Sequence, residues 1–249
     1  MSGSPSFAFP PKLDLYYSPK ACSLASHIAL EESGLAYEAV SVNIRNQENR
    51  REEYLRLNPG GTVPTLGIDG RPLTESQAIL TYIADLVPER QLLPRPGTLA
   101  RARAHEWMNL ISSSLHVSYR SVFRPQTYGG EDPAAMEHVQ RQGRKNLAKY
   151  LALIESRLDP ASTYALGETF TVVDAYLFVF YLWSYDERLQ CDLPERPRYR
   201  ALAEHVAARP AVRKVVARER CVRAYDLPDH ILLDDAQDRN ASIAGTGAR

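Results

Sequence analysis

A small α/β domain followed by an all-helical domain is the fold class that this sequence predicts. Three observations carry the prediction. A strand–helix–strand pattern, then a short helix, then a hairpin and a further helix, are complete within the first third of the chain. A stretch from 88 to 97 holds Pro88, Pro94 and Pro96 and has no periodicity, so it reads as a linker. Beyond it every apolar pattern has a helical period.

Taken in order, residues 1–11 are small, polar and proline-bearing and read as a disordered lead. Lys12 to Tyr17 alternates as a strand, and Ala21 to Ser33 is predicted as a helix stopped by Gly34. Val40 to Ile44 alternates as a second strand. Glu52 to Leu57 forms a helical turn or two, ended by the breaker Asn58-Pro59-Gly60-Gly61. Val63 to Ile68, the turn Asp69-Gly70 and Arg71 to Thr74 form a β-hairpin, and Glu75 to Leu86 the next helix. Residues 12–87 are therefore the first domain, 98–220 the helical domain and 221–249 a polar, aperiodic tail. In the helical domain Thr98 to Phe123 and Pro133 to Leu158 are predicted as two long helices. Val172 to Tyr185, apolar all round, suits the centre of a bundle. It opens with Thr171-Val172-Val173-Asp174, a capping-box layout with Asp in place of Glu. Tyr199 to Ala208 and Pro210 to Arg220 are two shorter helices.

Thirty basic residues balance thirty acidic ones, which gives no electrostatic case for nucleic acid or an anionic membrane as partner. Three widely spaced cysteines, Cys22, Cys191 and Cys221, suggest neither a disulfide framework nor a metal site, and no cluster has metal-ligand spacing. No signal-peptide pattern opens the chain, and no apolar run approaches the roughly 20 residues of a membrane span. A soluble, cytoplasmic protein is expected.

Three local features carry chemistry. Cys22 follows a proline turn at a predicted helix start, where unpaired N–H groups and partial positive charge favour a thiolate, either the protein's own or that of a bound thiol; the plainer reading is a small buried hydrophobe. Val63-Pro64 stands where a loop enters a strand. A cis bond there would turn the Val63 backbone outward to pair with an extended peptide, whereas the base rate favours trans. Thr74-Glu75-Ser76 begins a helix, where a hydroxyl and free N–H groups can hold a carboxylate and Glu75 an ammonium group; an ordinary N-cap is the alternative. Together they describe a slot for a short zwitterionic peptide with a thiol beside Cys22. On the first long helix Asn109, Ser112, Ser113, His116 and Arg120 form a polar stripe, either a solvated face or the lining of a cleft. The other histidines, His27 among them, read as surface or core fillers.

Tyr16-Tyr17-Ser18-Pro19-x-Ala21-Cys22-Ser23, Asn58-Pro59-x-Gly61-x-Val63-Pro64, Leu73-Thr74-Glu75-Ser76 and Thr171-Val172-Val173-Asp174-Ala175-Tyr176 resemble a bacterial glutathione S-transferase. Cys22 and the Trp107-x-Asn109…Leu115-His116 spacing resemble the beta, cysteine-type class. The resemblance spans about Lys12 to Arg220. It implies a thioredoxin-like first domain, glutathione as co-substrate with no metal, a small electrophilic or hydrophobic second substrate, a detoxifying role and a homodimer. Cys22 would face the glutathione sulfur and form a mixed disulfide with it, with His116 as its catalytic partner. Ser23, Ile44, Val63, Pro64, Glu75, Ser76 and Asn109 would bind glutathione, with Asn109 or His116 acting across the dimer interface. A non-enzymatic binder, or a glutathione-dependent isomerase or dehalogenase, are the alternatives on the same fold.

Lowering a thiol pKa from about 8.5 by two units takes roughly 2.7 kcal/mol. A helix N-terminus supplies only about 0.3–1 kcal/mol, so the remainder is expected from hydrogen-bond donors at about 1.5–3 kcal/mol each. Ala25 occupies the second cysteine position of a C-x-x-C pair, so any redox cycle would use one protein thiol and external glutathione.

Overall fold

The computed structural model describes residues 10–189 and 193–219. Most of the predicted lead, the whole predicted tail, Cys191 and Cys221 lie outside them. The sheet is four-stranded in the order β2-β1-β3-β4: β1 (Leu13–Tyr17), β2 (Glu38–Ser41), β3 (Thr65–Ile68) and β4 (Arg71–Thr74). β1 pairs parallel with β2 and antiparallel with β3, and β3 antiparallel with β4. The parallel pair requires a crossover, which α1 (Leu24–Ser33) provides. Asp69 and Gly70 both take positive φ, 48° and 77°, so the hairpin closes with the left-handed turn that its Asp-Gly pair predicts. This is the thioredoxin-like arrangement that the resemblance implies.

Several boundaries differ from the sequence expectation, two of them by three residues. The α-helix begins at Leu24, not Ala21; Ala21 to Ser23 form a tight turn in which the Leu24 and Ala25 N–H groups donate to the Ala21 and Cys22 carbonyls at 3.2 Å. The second strand is Glu38–Ser41 rather than 40–44, because Asn43 ends it. The Asn43 side-chain carbonyl accepts from the Arg45 and Asn46 N–H groups, at 3.0 and 3.1 Å, and turns the chain away. α2 (Glu52–Leu57) and α3 (Ser76–Leu86) complete the first domain.

The helical domain holds α4 (Leu99–Leu110), α5 (His116–Phe123), α6 (Gln126–Gly129), α7 (Pro133–Arg157), α8 (Val172–Trp183), α9 (Pro197–Ala207) and α10 (Pro210–Arg218). The first predicted long helix is not uniform. Ile111–Leu115 between α4 and α5 is a π-helical turn in which the His116 N–H donates to the Ile111 carbonyl five residues back. Short α6 was not expected. At α8 the Thr171/Asp174 capping box forms in both directions, and Val172 to Leu182 are buried all round. Leu15, Ile28 and Ile83 of the first domain and Met108, Phe178 and Leu202 of the second belong to one continuous core. Among the described residues no helix is long and apolar enough to cross a membrane.

Candidate active site

Cys22 sits in the turn between β1 and α1 with its side chain buried, 8% exposed. Polar contacts fix that turn. The Ser23 hydroxyl accepts from the Ser18 N–H and donates to the Ser18 carbonyl, both at 3.1 Å. The Trp183 indole N–H at the end of α8 donates to the Lys20 carbonyl at 2.9 Å. Ser23 therefore holds the loop and does not line the cleft that Cys22 faces.

The second wall is the Thr62-Val63-Pro64 segment. The Val63–Pro64 bond is cis, and the Cys22 thiol donates to the Val63 carbonyl at 3.4 Å. The Asn58 breaker braces this segment from behind. Its side-chain N–H2 donates to the Thr62 carbonyl at 2.9 Å and to Thr65 Oγ1 at 3.0 Å, while the Tyr54 hydroxyl donates to the Thr62 carbonyl at 2.6 Å. Gly61, at φ 58°, is needed: a Cβ there would lie 2.9 Å from Arg50 Nη1 and 3.0 Å from the Asn49 carbonyl.

The third wall is the start of α3. Glu75 is exposed and takes φ 70° and ψ 118°, a strained conformation for a non-glycine residue and one concentrated at functional sites. The Ser76 hydroxyl is in hydrogen-bonding reach of both the Cys22 thiol and the Tyr176 hydroxyl of α8. Cys22, Val63, Pro64, Glu75, Ser76, Tyr176 and His116 all border one cleft of about 970 Å³, at the upper end of the roughly 300–1,000 Å³ common for ligand sites.

Electrostatically the site departs from expectation. Burial pushes the Cys22 thiol up to about 11, outweighing the Ser76 hydrogen bond, backbone N–H donation and the Arg120 charge, which pull it down. Without a ligand the Cys22 thiol is therefore protonated at neutral pH. Burial, then Arg120, pushes His116 down to about 4, so the imidazole is neutral. Its ring packs against Phe180 at 5.2 Å and Trp183 at 5.4 Å.

Asn109 and Ile44 do not border the cleft. Asn109 is exposed on α4, its carbonyl accepting from the Ser112 and Ser113 hydroxyls at 3.3 and 2.7 Å. Ile44 packs on the small apolar cluster of Ala21, Val42, Tyr54 and Val63. Sequence reasoning missed Tyr176, masked in a run that reads as pure core. It also missed Gln77, Thr81 and Asp85, whose four-residue spacing on α3 was a readable polar stripe facing the cleft.

Two family models match the chain: the glutathione S-transferase N-terminal domain over residues 21–86 and the C-terminal domain over 108–210. The glutathione S-transferase GstA of Escherichia coli O157:H7 is 36% identical over 209 residues, covering 83% of this chain and 98% of that protein. The chain belongs to the glutathione S-transferase family. It is an enzyme, a glutathione transferase that joins glutathione to electrophilic substrates. Among solved structures, a glutathione transferase homologue from Sulfitobacter with bound glutathione superposes on this transferase with a TM-score of 0.76 at 31% identity, covering 83% of this chain and 98% of that one. A beta-class glutathione S-transferase from Sphingomonas chungbukensis superposes with a TM-score of 0.70 at 34% identity over the same shares.

Proposed function

We propose that the transferase is of the beta, cysteine type. Glutathione would lie along the cleft with its γ-glutamyl end at Glu75 and Ser76, its cysteinyl backbone on Val63 and its sulfur beside Cys22. The convergence of the Cys22 thiol, the Val63 carbonyl and the Ser76 hydroxyl at one end of the cleft supports this reading. In conjugation, glutathione gives up its thiol proton to solvent and its sulfur attacks an electrophilic carbon. A C–S bond forms and the leaving group departs with its bonding electrons. In thiol transfer, the deprotonated Cys22 sulfur attacks the disulfide of oxidised glutathione, forming a protein–glutathione disulfide and releasing one reduced glutathione. His116, neutral and set at an angle against the Phe180 and Trp183 rings, shapes the second-substrate wall.

The enzyme would act in the cytoplasm, on small electrophiles in a detoxifying role, as a homodimer. Asn109, exposed and outside its own chain's cleft, is then positioned for a partner subunit. The test is intact mass after exposure to oxidised glutathione, with peptide mapping. The expected result is one glutathionyl group on Cys22, and none in Cys22→Ala, which still binds reduced glutathione. An adduct that persists in Cys22→Ala, on Cys191 or Cys221, would remove Cys22 from the mechanism.

A further inference from the structure

The charged side chains bordering the cleft are Glu75, Asp85 and Arg120. Two of them have evident employment. Both Asp85 oxygens receive the Arg101 guanidinium of α4, at 2.9 and 2.7 Å. Glu75 stands beside Ser76, at the end assigned above to the glutathione ammonium group. Arg120 is different. It projects from α5 one turn beyond His116, is exposed, and forms an ion pair with no carboxylate among the described residues. It lines the same cleft as Cys22 and His116, and its charge pulls both of those groups down.

The wall next to Arg120 is apolar. Val117 presents its isopropyl group, 41% exposed, at the cleft. His116, backed by Phe180 and Trp183, offers a flat uncharged ring. A single guanidinium at the edge of such a wall matches a molecule with an apolar or aromatic body and an anionic end. The planar fork of arginine suits a carboxylate in particular, which it can grip through two parallel N–H···O bonds.

We propose that Arg120 makes this transferase selective for acidic second substrates, electrophiles whose apolar body lies on His116 and Val117 while a carboxylate meets the guanidinium. The inference rests on the glutathione reading of the cleft and adds the substrate class. The π-turn before His116 sets the rotation of α5 that brings His116, Val117 and Arg120 to the cleft together.

The test needs no turnover. S-(4-carboxybenzyl)glutathione and S-(4-carbamoylbenzyl)glutathione, nearly identical in shape and different in charge, are titrated calorimetrically into the wild-type enzyme, Arg120→Gln and Arg120→Lys. The wild type is expected to prefer the carboxylate by about tenfold or more, the size of a charge-assisted contact. Arg120→Gln brings the two ligands to parity, and Arg120→Lys keeps part of the preference because the charge remains and the fork is lost. Parity in the wild type overturns the inference while leaving the glutathione reading intact. An equal loss for both ligands in Arg120→Gln also overturns it, and assigns Arg120 to glutathione's own carboxylates or sulfur. Failure of the wild type to bind either ligand contradicts the glutathione reading and the inference with it.

Discussion

At Cys22 two effects of opposite sign meet, and their magnitudes decide the resting state. The turn before α1 brings backbone N–H groups near the sulfur, which favours the anion by at most about 1 kcal/mol for an end of this kind. Burial of the same sulfur disfavours the anion more strongly, and the thiol rises to about 11. Iodoacetamide alkylation of Cys22 in the ligand-free enzyme is therefore expected to be slow at pH 7 and to rise through about pH 11; a rate already at its plateau at pH 7 would contradict this. The same shifts fix the pH dependence of stability. A pKa raised on folding stabilises below the unfolded value of about 8.5 and loses that contribution as pH rises through the folded one. Cys22 thus weakens the fold between those limits. His116, depressed to about 4, stabilises above about pH 6.5 and loses its contribution as pH falls through about 4. The identity of the thiol was legible in the sequence because a proline turn and a cysteine are local signals. Its protonation was not, since it depends on burial and on Ser76, Arg120 and Glu75, brought in from distant parts of the chain.

At the scale of elements, what was legible is what short-range chemistry dictates. Asp69-Gly70 closes the hairpin, Gly34 ends α1 in the left-handed region at φ 73°, and Thr171 with Asp174 caps α8. The end of β2 was misplaced because strand alternation was followed past Asn43, whose side chain forms its own turn. The π-turn at Ile111–Leu115 was invisible to a search for a uniform 3.6-residue period. Three successive serines mark it only in hindsight, two of them bonding back to the Asn109 carbonyl. The extra residue matters because each residue turns a helix by about 100°, and π-turns of this kind recur at functional sites. Deleting Ser113 is expected to rotate His116, Val117 and Arg120 off the cleft. Conjugation of a chloronitrobenzene should fall at least about tenfold while far-UV circular dichroism stays near that of the wild type. Unchanged activity would mean that the α5 face does not contribute to the site.

Across the whole molecule, the two domains are joined by groups far apart in sequence. Arg209 of the α9–α10 turn grips Glu32 of α1 through two contacts of 2.6 and 2.8 Å, Lys214 reaches Glu31, and Arg101 reaches Asp85. Deepest of all, His27 Nδ1 lies 2.6 Å from Glu219 Oε1 with both side chains fully buried. Read alone, His27 was one more filler; its partner is 192 positions away, and no local pattern reveals such a pair. Truncating one member of a buried pair strands the other, at about 3–5 kcal/mol. His27→Ala is expected to lose that much in urea unfolding, with both domains still melting in one transition because the core is continuous. Two separate transitions in the wild type, or a loss below about 1 kcal/mol, would contradict this coupling.

The central claim is that the cleft between α3, the Val63–Pro64 segment and α5 is the glutathione site. Isothermal titration of reduced glutathione into the wild-type enzyme and Ser76→Ala tests it most directly. Saturable one-site binding, weakened at least about tenfold by the loss of one buried hydroxyl that contacts a charged group, is the expected result. Equal affinity in the two proteins would place glutathione elsewhere, and no binding to the wild type would contradict the account.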